Sequence, residues 1–315
     1  MKNIRFSMAL AAMLVLSLVL AACGGGNDDN ASENNTKLAD DAELGEKNIT
    51  LPYVSWAGST SRTPLLAAVL EDVGYNVDMK QVEAGPMWAA VADDPASFTA
   101  TGWLPTTHQE YIEKYGDDVE VYDTSIIDKA PLALTVPSYM EDINSIEDLK
   151  GNEDLGEKVD WEITGIDPGA GIMQNTEKAL EHYGLDKWSV QSSSEAAMLS
   201  ELQKKIKNEE PVVVPLWKPH WIFAAEDLKM LEDPDEIYGG DGDHIDLVFN
   251  KEFKETSPAA YQIATQFAEN YNSENEEELM GPIFVDDKDA EEVAQQYMKD
   301  NPDKVKTWQK GVIAE

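Results

Sequence analysis

Residues 48 to 82 narrow what this chain can fold into more than any other stretch. Asn48 to Val54 is an apolar run, and Leu65, Leu66, Val69 and Val73 recur at helical spacing over Thr60 to Val73. Gly74 is a helix stop, and Tyr75 to Val82 is a second strand-like run. Strand, helix and strand in that order predict a βαβ unit of an α/β domain. Open sheets of this kind hold ligands beyond the carboxyl ends of their strands, and Trp56 stands at that end of the first strand.

A second tryptophan is delivered to the same edge. Gly85-Pro86-Met87-Trp88 opens a short helix through Val91, with Trp88 on its packing side, and Phe98 to Trp103 reads as a strand. A helix from Pro105 to Tyr115, stopped by Gly116, puts His108 in its first turn. Gly102-Trp103-Leu104-Pro105-Thr106-Thr107-His108 therefore sets an indole and an imidazole five residues apart. A ring face attracts a cation that carries no N–H of its own, while a histidine can donate to an anion. The pair suits a ligand with two unlike ends, although a core tryptophan beside a helix-capping histidine has the same spacing.

Leu132 to Val136 is an apolar strand, and Ile143 to Leu149 a capped helical turn after it. The crossing into a second lobe is expected here, giving a first lobe of residues 48–138 and 246–315 and a second of 139–245. Within the second, Gly165-Ile166-Asp167-Pro168-Gly169-Ala170-Gly171-Ile172-Met173 leads into a helix that Gly184 ends. Small residues before a helix admit a ligand to its unpaired N–H groups, which makes an anion seat. The glycines do not follow the dinucleotide register and no Walker-type lysine follows, so a carboxylate suits the seat better than a pyrophosphate. A tight turn needing glycine dihedrals is the alternative.

Ser192 and Glu195 have capping-box spacing ahead of a helix to Lys207, and Val212 to Val214 forms a strand that runs into Trp217-Lys218-Pro219-His220-Trp221. Pro215 and Pro219 stiffen that loop and hold Trp217. His220 and Trp221 are assigned to packing. Asp241 to Asp246 lacks the twelfth-position Glu of a calcium loop, and Asp246 to Phe249 reads as the return crossing. Helices at Pro258 to Tyr271, Asp287 to Met298 and Pro302 to Lys310 complete the first lobe, with Trp308 on a packing face.

Ahead of this body, residues 1–22 carry Lys2, Arg5 and an apolar run from Met8 to Leu20, the pattern of an export signal. The run is short for a permanent membrane span. Leu20-Ala21-Ala22-Cys23 resembles a lipobox, which makes Cys23, the sole cysteine, a lipidation site. Residues 23–47 are polar and small, a flexible tether to a membrane. The net charge of -37 argues against nucleic acid as a partner and keeps the protein soluble and monomeric. The four histidines form no metal spacing and no Gly-x-Ser-x-Gly elbow is present, so neither metal, cofactor nor enzyme is expected.

Five motifs together resemble one family, the glycine betaine and proline betaine binding lipoproteins of bacterial ABC importers. They are Tyr53 to Trp56, Gln81 to Trp88, Trp103 to His108, Gly165 to Met173 and Trp217 to Trp221, and they span nearly all of the body. The resemblance implies a two-lobed type II periplasmic-binding-protein fold of class α/β, with the ligand in the cleft between lobes. It implies that Trp56, Trp103 and Trp217 form an aromatic prism around a trimethylammonium group. Backbone N–H groups of Gly171 and Ile172 would hold the carboxylate, with His108 adding a further bond. It implies a permease subunit as partner and an extracytoplasmic, lipid-anchored location. Choline or carnitine is the alternative ligand, and an enzyme acting on a quaternary amine a remoter one. Lys218, beside Trp217, must then point away from the prism.

Overall fold

The computed structural model describes residues 37–314. The export signal, Cys23 and the first part of the tether lie outside the described residues.

Eleven strands are present among the described residues: β1 (Asn48–Tyr53), β2 (Asn76–Gln81), β3 (Phe98–Leu104), β4 (Val119–Val121), β5 (Ile127–Ala130), β6 (Leu132–Pro137), β7 (Glu162–Thr164), β8 (Ser189–Gln191), β9 (Val214–Trp217), β10 (Leu228–Met230) and β11 (Asp243–Asn250). Twelve α-helices accompany them: α1 (Ala57–Asp72), α2 (Ala84–Asp93), α3 (Gln109–Tyr115), α4 (Glu153–Lys158), α5 (Gly171–His182), α6 (Glu195–Lys207), α7 (Ile222–Ala225), α8 (Phe253–Thr256), α9 (Pro258–Asn270), α10 (Ser273–Met280), α11 (Ala290–Asp300) and α12 (Pro302–Trp308).

The strands fall into two groups. In the first, β1 and β2 pair in parallel, with Thr50 bridged to Ser97 just ahead of β3, while β11 runs antiparallel to β3, β4 and β5. In the second, β6 lies between β10 and β9, and β7 pairs in parallel with β8. The Thr164 N–H donates to the Val213 carbonyl at 3.0 Å, tying that pair to the entry of β9. The expected βαβ unit is therefore β1, α1 and β2. Helix α1 is buried along residues 57–70 because it runs beneath α9, α10 and α11 as well as over the sheet. A helix covered all round needs apolar or small residues on every face, and Ala57 to Leu70 supplies mostly those.

Several expectations need correction. The sequence places residues 132–137 in the first lobe, but β6 hydrogen-bonds to β9 and β10, so the chain changes sheets at Pro131. Its all-apolar sequence fits the centre of either sheet, and only long-range pairing decides between them. The polar tether was drawn to residue 47, yet Leu38 bridges to Ile313, the Ala39 N–H reaches the Val312 carbonyl at 2.9 Å, and the Glu46 N–H reaches the Thr256 carbonyl at 2.8 Å. Leu38, Ala42 and Leu44 pack on the core, which is enough to pin residues 37–46 to the body. The helix expected from Pro105 begins only at Gln109, and that expected from Thr60 begins at Ala57. The cap of α6 is Ser194 rather than Ser192; it accepts from the Ala197 N–H, which leaves Glu195 free for another partner.

Candidate functional site

Each of three strands hands over an indole near its carboxyl end. Trp56 is the N-cap residue of α1, three residues beyond β1; Trp103 lies near the end of β3; Trp217 closes β9, opposite Leu132 of β6. All three are buried, and they meet: the Trp217 ring centroid is 6.2 Å from that of Trp56 and 6.1 Å from that of Trp103. The interplanar angles, 56° and 78°, keep the faces from stacking on one another, so they wall a space instead of filling it. That narrow space is lined by Trp56, Trp103, Thr107, Leu132, Ile166, Ile172 and Trp217.

The turn after β3 is built by Asp243, at the start of β11. Its carboxylate accepts the Thr106 and Thr107 N–H groups at 2.9 and 2.8 Å, and the His108 N–H returns to the Trp103 carbonyl at 2.8 Å. With those donors taken, α3 starts late and His108 is its N-cap residue, not a first-turn residue. The acidic stretch set aside as a calcium loop thus has a structural task in Asp243.

His108 is fully buried. Its Nδ1 accepts the Trp103 backbone N–H at 3.1 Å and faces the Trp88 indole N–H at 3.3 Å. Two donors at Nδ1 place the ring proton on Nε2, and that Nε2 has no hydrogen-bond partner among the described residues. Burial lowers the His108 pKa to about 3, so the ring is a neutral donor across the physiological range. Trp88 is in the core as expected, but it also helps set this tautomer.

Gly171 and Ile172 form the first turn of α5, whose N-cap, Ala170, supplies no side-chain hydrogen bond. The Met173 N–H is taken by the Ala170 carbonyl at 3.0 Å, which leaves the Gly171 and Ile172 N–H groups as the donors at the positive end of the helix dipole. Gly171 also lies directly against the loop of the other sheet, where a Cβ would collide with the Thr107 carbonyl oxygen. Glycine is required there for close approach. Thr107, whose buried hydroxyl has no partner among the described residues, lines the space without having been singled out from sequence.

Contacts between the two groups of elements surround the site. The Trp56 indole N–H donates to Asp167 Oδ1 at 2.9 Å, and the Tyr111 hydroxyl donates to the Gly169 carbonyl at 2.8 Å. The Ala57 N–H lies 3.2 and 3.1 Å from the two Glu195 carboxylate oxygens. His220 accepts the Ile222 N–H at Nδ1 (3.2 Å), so its Nε2–H donates to Glu195 at 3.1 Å. His220 is thus a packing residue with a defined partner. Trp221 stacks on Phe284, with centroids 6.0 Å apart and planes at 6°. Lys218 is exposed and holds its Nζ 4.6 Å from the Phe223 ring centroid; Phe223 is no part of the indole-lined space.

Comparison with known proteins gives this geometry a context. Residues 47–300 match the model of the substrate binding domain of ABC-type glycine betaine transport systems. The glycine betaine/carnitine transport binding protein GbuC of Listeria monocytogenes is 41% identical over 189 residues, 59% of this chain and 62% of that protein. The chain thus spans under two thirds of that relative's length. Lactococcal OpuAC, in its closed form complexed with glycine betaine, is 33% identical with a TM-score of 0.77 over 84% of this chain and 100% of that one. ProX of Borrelia burgdorferi is also 33% identical, with a TM-score of 0.78 over 83% of this chain and 96% of that one. A choline-binding protein of an ABC transporter, at 23% identity and a TM-score of 0.78 over 85% of this chain and 93% of that one, shares the fold. The α/β architecture is the two-lobed type II periplasmic-binding fold, and the chain belongs to the family of substrate-binding domains of ABC-type glycine betaine transport systems.

Proposed function

We propose that this protein captures glycine betaine, or a closely related quaternary-ammonium zwitterion, outside the cytoplasm and delivers it to the permease of an ABC importer for osmoprotection. The observation that carries the reading is the convergence of Trp56, Trp103 and Trp217 on one small space beside the unpaired His108 Nε2–H and the first turn of α5. The indole faces take the trimethylammonium group. The Gly171 and Ile172 N–H groups and His108 take the carboxylate.

Magnitudes explain why both halves are needed. Desolvated cation to ring contacts contribute roughly 1 to 2 kcal/mol each, so three give about 3 to 6. Micromolar affinity corresponds to about 8 kcal/mol. Hydrogen bonds to a charged group, at about 1.5 to 3 kcal/mol each, close that gap. A ligand with only one of the two ends binds more weakly, which favours betaine over choline.

In this reading the first lobe is residues 48–130 with 243–315 and the second begins at residue 132, which the strand pairing supports. Closure on the zwitterion brings Trp56 and Trp103 to Trp217, and the closed form docks on the permease as a monomer. Cys23 carries the lipid that keeps the protein at the membrane, and the family is one of solute carriers without turnover of the ligand. Parallel calorimetric titration with glycine betaine, proline betaine, carnitine and choline tests the function. The two betaines should bind most tightly, whereas choline as the strongest ligand would overturn the zwitterion reading. Release of a Cys23→Ala variant into the medium tests the anchor.

A further inference from the structure

Asp167 is anomalous. The residue is 8% exposed, Oδ1 accepts the Trp56 indole N–H at 2.9 Å, and Oδ2 is buried with no such donor among the described residues. No Lys, Arg or His among the described residues forms an ion pair with it. Its neighbour across the cleft is another acid, Glu83, whose carboxyl is held above the usual carboxylate range by burial first, then by the charge of Asp167 and by a side-chain hydrogen bond with it. A buried carboxylate without a counter-charge is strongly unfavourable. This one is bonded to the edge of a cage wall, and its neighbour Ile166 lines the cage.

Building on the quaternary-ammonium reading above, we propose that Asp167 is a specificity-determining residue: its charge is answered by the cation in the cage, and its Oδ1 sets the angle of the Trp56 ring. The indole N–H lies in the ring plane, so accepting it fixes the ring's rotation and leaves its face to the guest. Because Asp167 and Trp56 belong to different lobes, the bond forms only when the lobes meet. Closure then brings Asp167 towards Glu83, and a cationic guest offsets the repulsion where a neutral one cannot. The indole faces favour a cation by their quadrupole, and Asp167 adds a full charge to that preference.

The test compares glycine betaine with 3,3-dimethylbutanoate, the isostere in which carbon replaces the quaternary nitrogen. Asp167→Asn keeps an oxygen for the indole N–H and removes the charge. Affinities of both ligands are measured by tryptophan fluorescence, directly and in competition. Asp167→Asn should weaken glycine betaine about tenfold or more, about 1.4 kcal/mol, and change the isostere little, so that discrimination between the two falls. Asp167→Glu, which retains the charge, should retain most of the discrimination. An unchanged betaine affinity in Asp167→Asn, or an equal loss for both ligands, overturns the proposal. If isostere binding is below detection in every variant, betaine affinity decides alone. A thermal melt identifies misfolding in Asp167→Asn, in which case Asp167→Glu decides: lost discrimination with the fold intact overturns the charge role. Should the unaltered protein fail to bind glycine betaine at all, the transport reading fails first.

Discussion

The Glu195 carboxylate of the second lobe sits 3.1 Å from the backbone N–H of Ala57 in the first, where it caps a helix that has no cap of its own. Trp56 supplies no side-chain oxygen to the first turn of α1, so an acid arriving from the other lobe both satisfies an orphan donor and meets the positive end of the helix dipole. His220 steadies that acid from behind. Glu195→Ala leaves the Ala57 N–H and the His220 Nε2–H buried and unpaired whenever the lobes are together. The cost of an unsatisfied buried group is about 1 to 3 kcal/mol. Betaine affinity should fall by roughly that amount, mainly through faster dissociation, as stopped-flow fluorescence would show; an unaltered off-rate would remove Glu195 from the closure contact.

Trp217 touches both other cage walls, so its loss opens the cage from one side. Trp217→Ala should weaken betaine binding by about 2 kcal/mol or more. Titration calorimetry measures it. Loss of only a few tenths of a kcal/mol would take this ring out of the cage.

In the proposed binding mode the His108 Nε2–H, without a partner among the described residues, donates to the ligand's acid group. His108→Ala should weaken glycine betaine by about 1.5 to 3 kcal/mol, the worth of a hydrogen bond to a charged group, and leave choline nearly unchanged. Parallel titrations of the two ligands provide the contrast.

Acid should act through the same residue in a defined direction. The folded-state pKa of His108 is lowered to about 3 by burial, against an unfolded value of about 6.5. Between those values the unfolded chain binds the proton and the folded one does not. His108 therefore contributes stability that is fully present above pH ~6.5 and is lost as pH falls towards ~3, by up to about 1.4 kcal/mol per pH unit. Denaturation midpoints measured from pH 7 to 4 should fall less steeply for His108→Gln than for the unaltered protein.

Gly171→Ala tests the close approach of the lobes. Gly171 carries no left-handed φ, so alanine suits the helix, but its Cβ would meet the Thr107 carbonyl. Betaine affinity should drop at least about tenfold, ~1.4 kcal/mol, with the melting temperature of the free protein little changed. Small-angle scattering should show a betaine-saturated variant that is less contracted.

The parts of the candidate site that are legible in the sequence are those whose placement is local. Trp56, Trp103 and Trp217 stand after apolar runs, and Gly171-Ile172 opens an amphipathic helix, so strand-end and helix-start rules place them without tertiary knowledge. The residues that went unseen act across the cleft. Asp167 meets Trp56 from 111 positions away and Glu195 meets Ala57 from 138, spacings that no local period encodes. Ser192 and Glu195 stand at the interval of a capping box, yet Ser194 caps the helix and the buried acid reaches across to Ala57. The crossing at Pro131 was misplaced for a related reason: β6 is apolar at every position, and which sheet claims such a strand depends on partners distant in the chain.

The most direct test is a crystal structure with glycine betaine bound. The trimethylammonium nitrogen should lie between the Trp56, Trp103 and Trp217 ring faces, within about 6 Å of each centroid, with the carboxylate at the Gly171 and Ile172 N–H groups and at His108 Nε2. A ligand bound elsewhere, or turned so that its carboxylate faces the indoles, would contradict it.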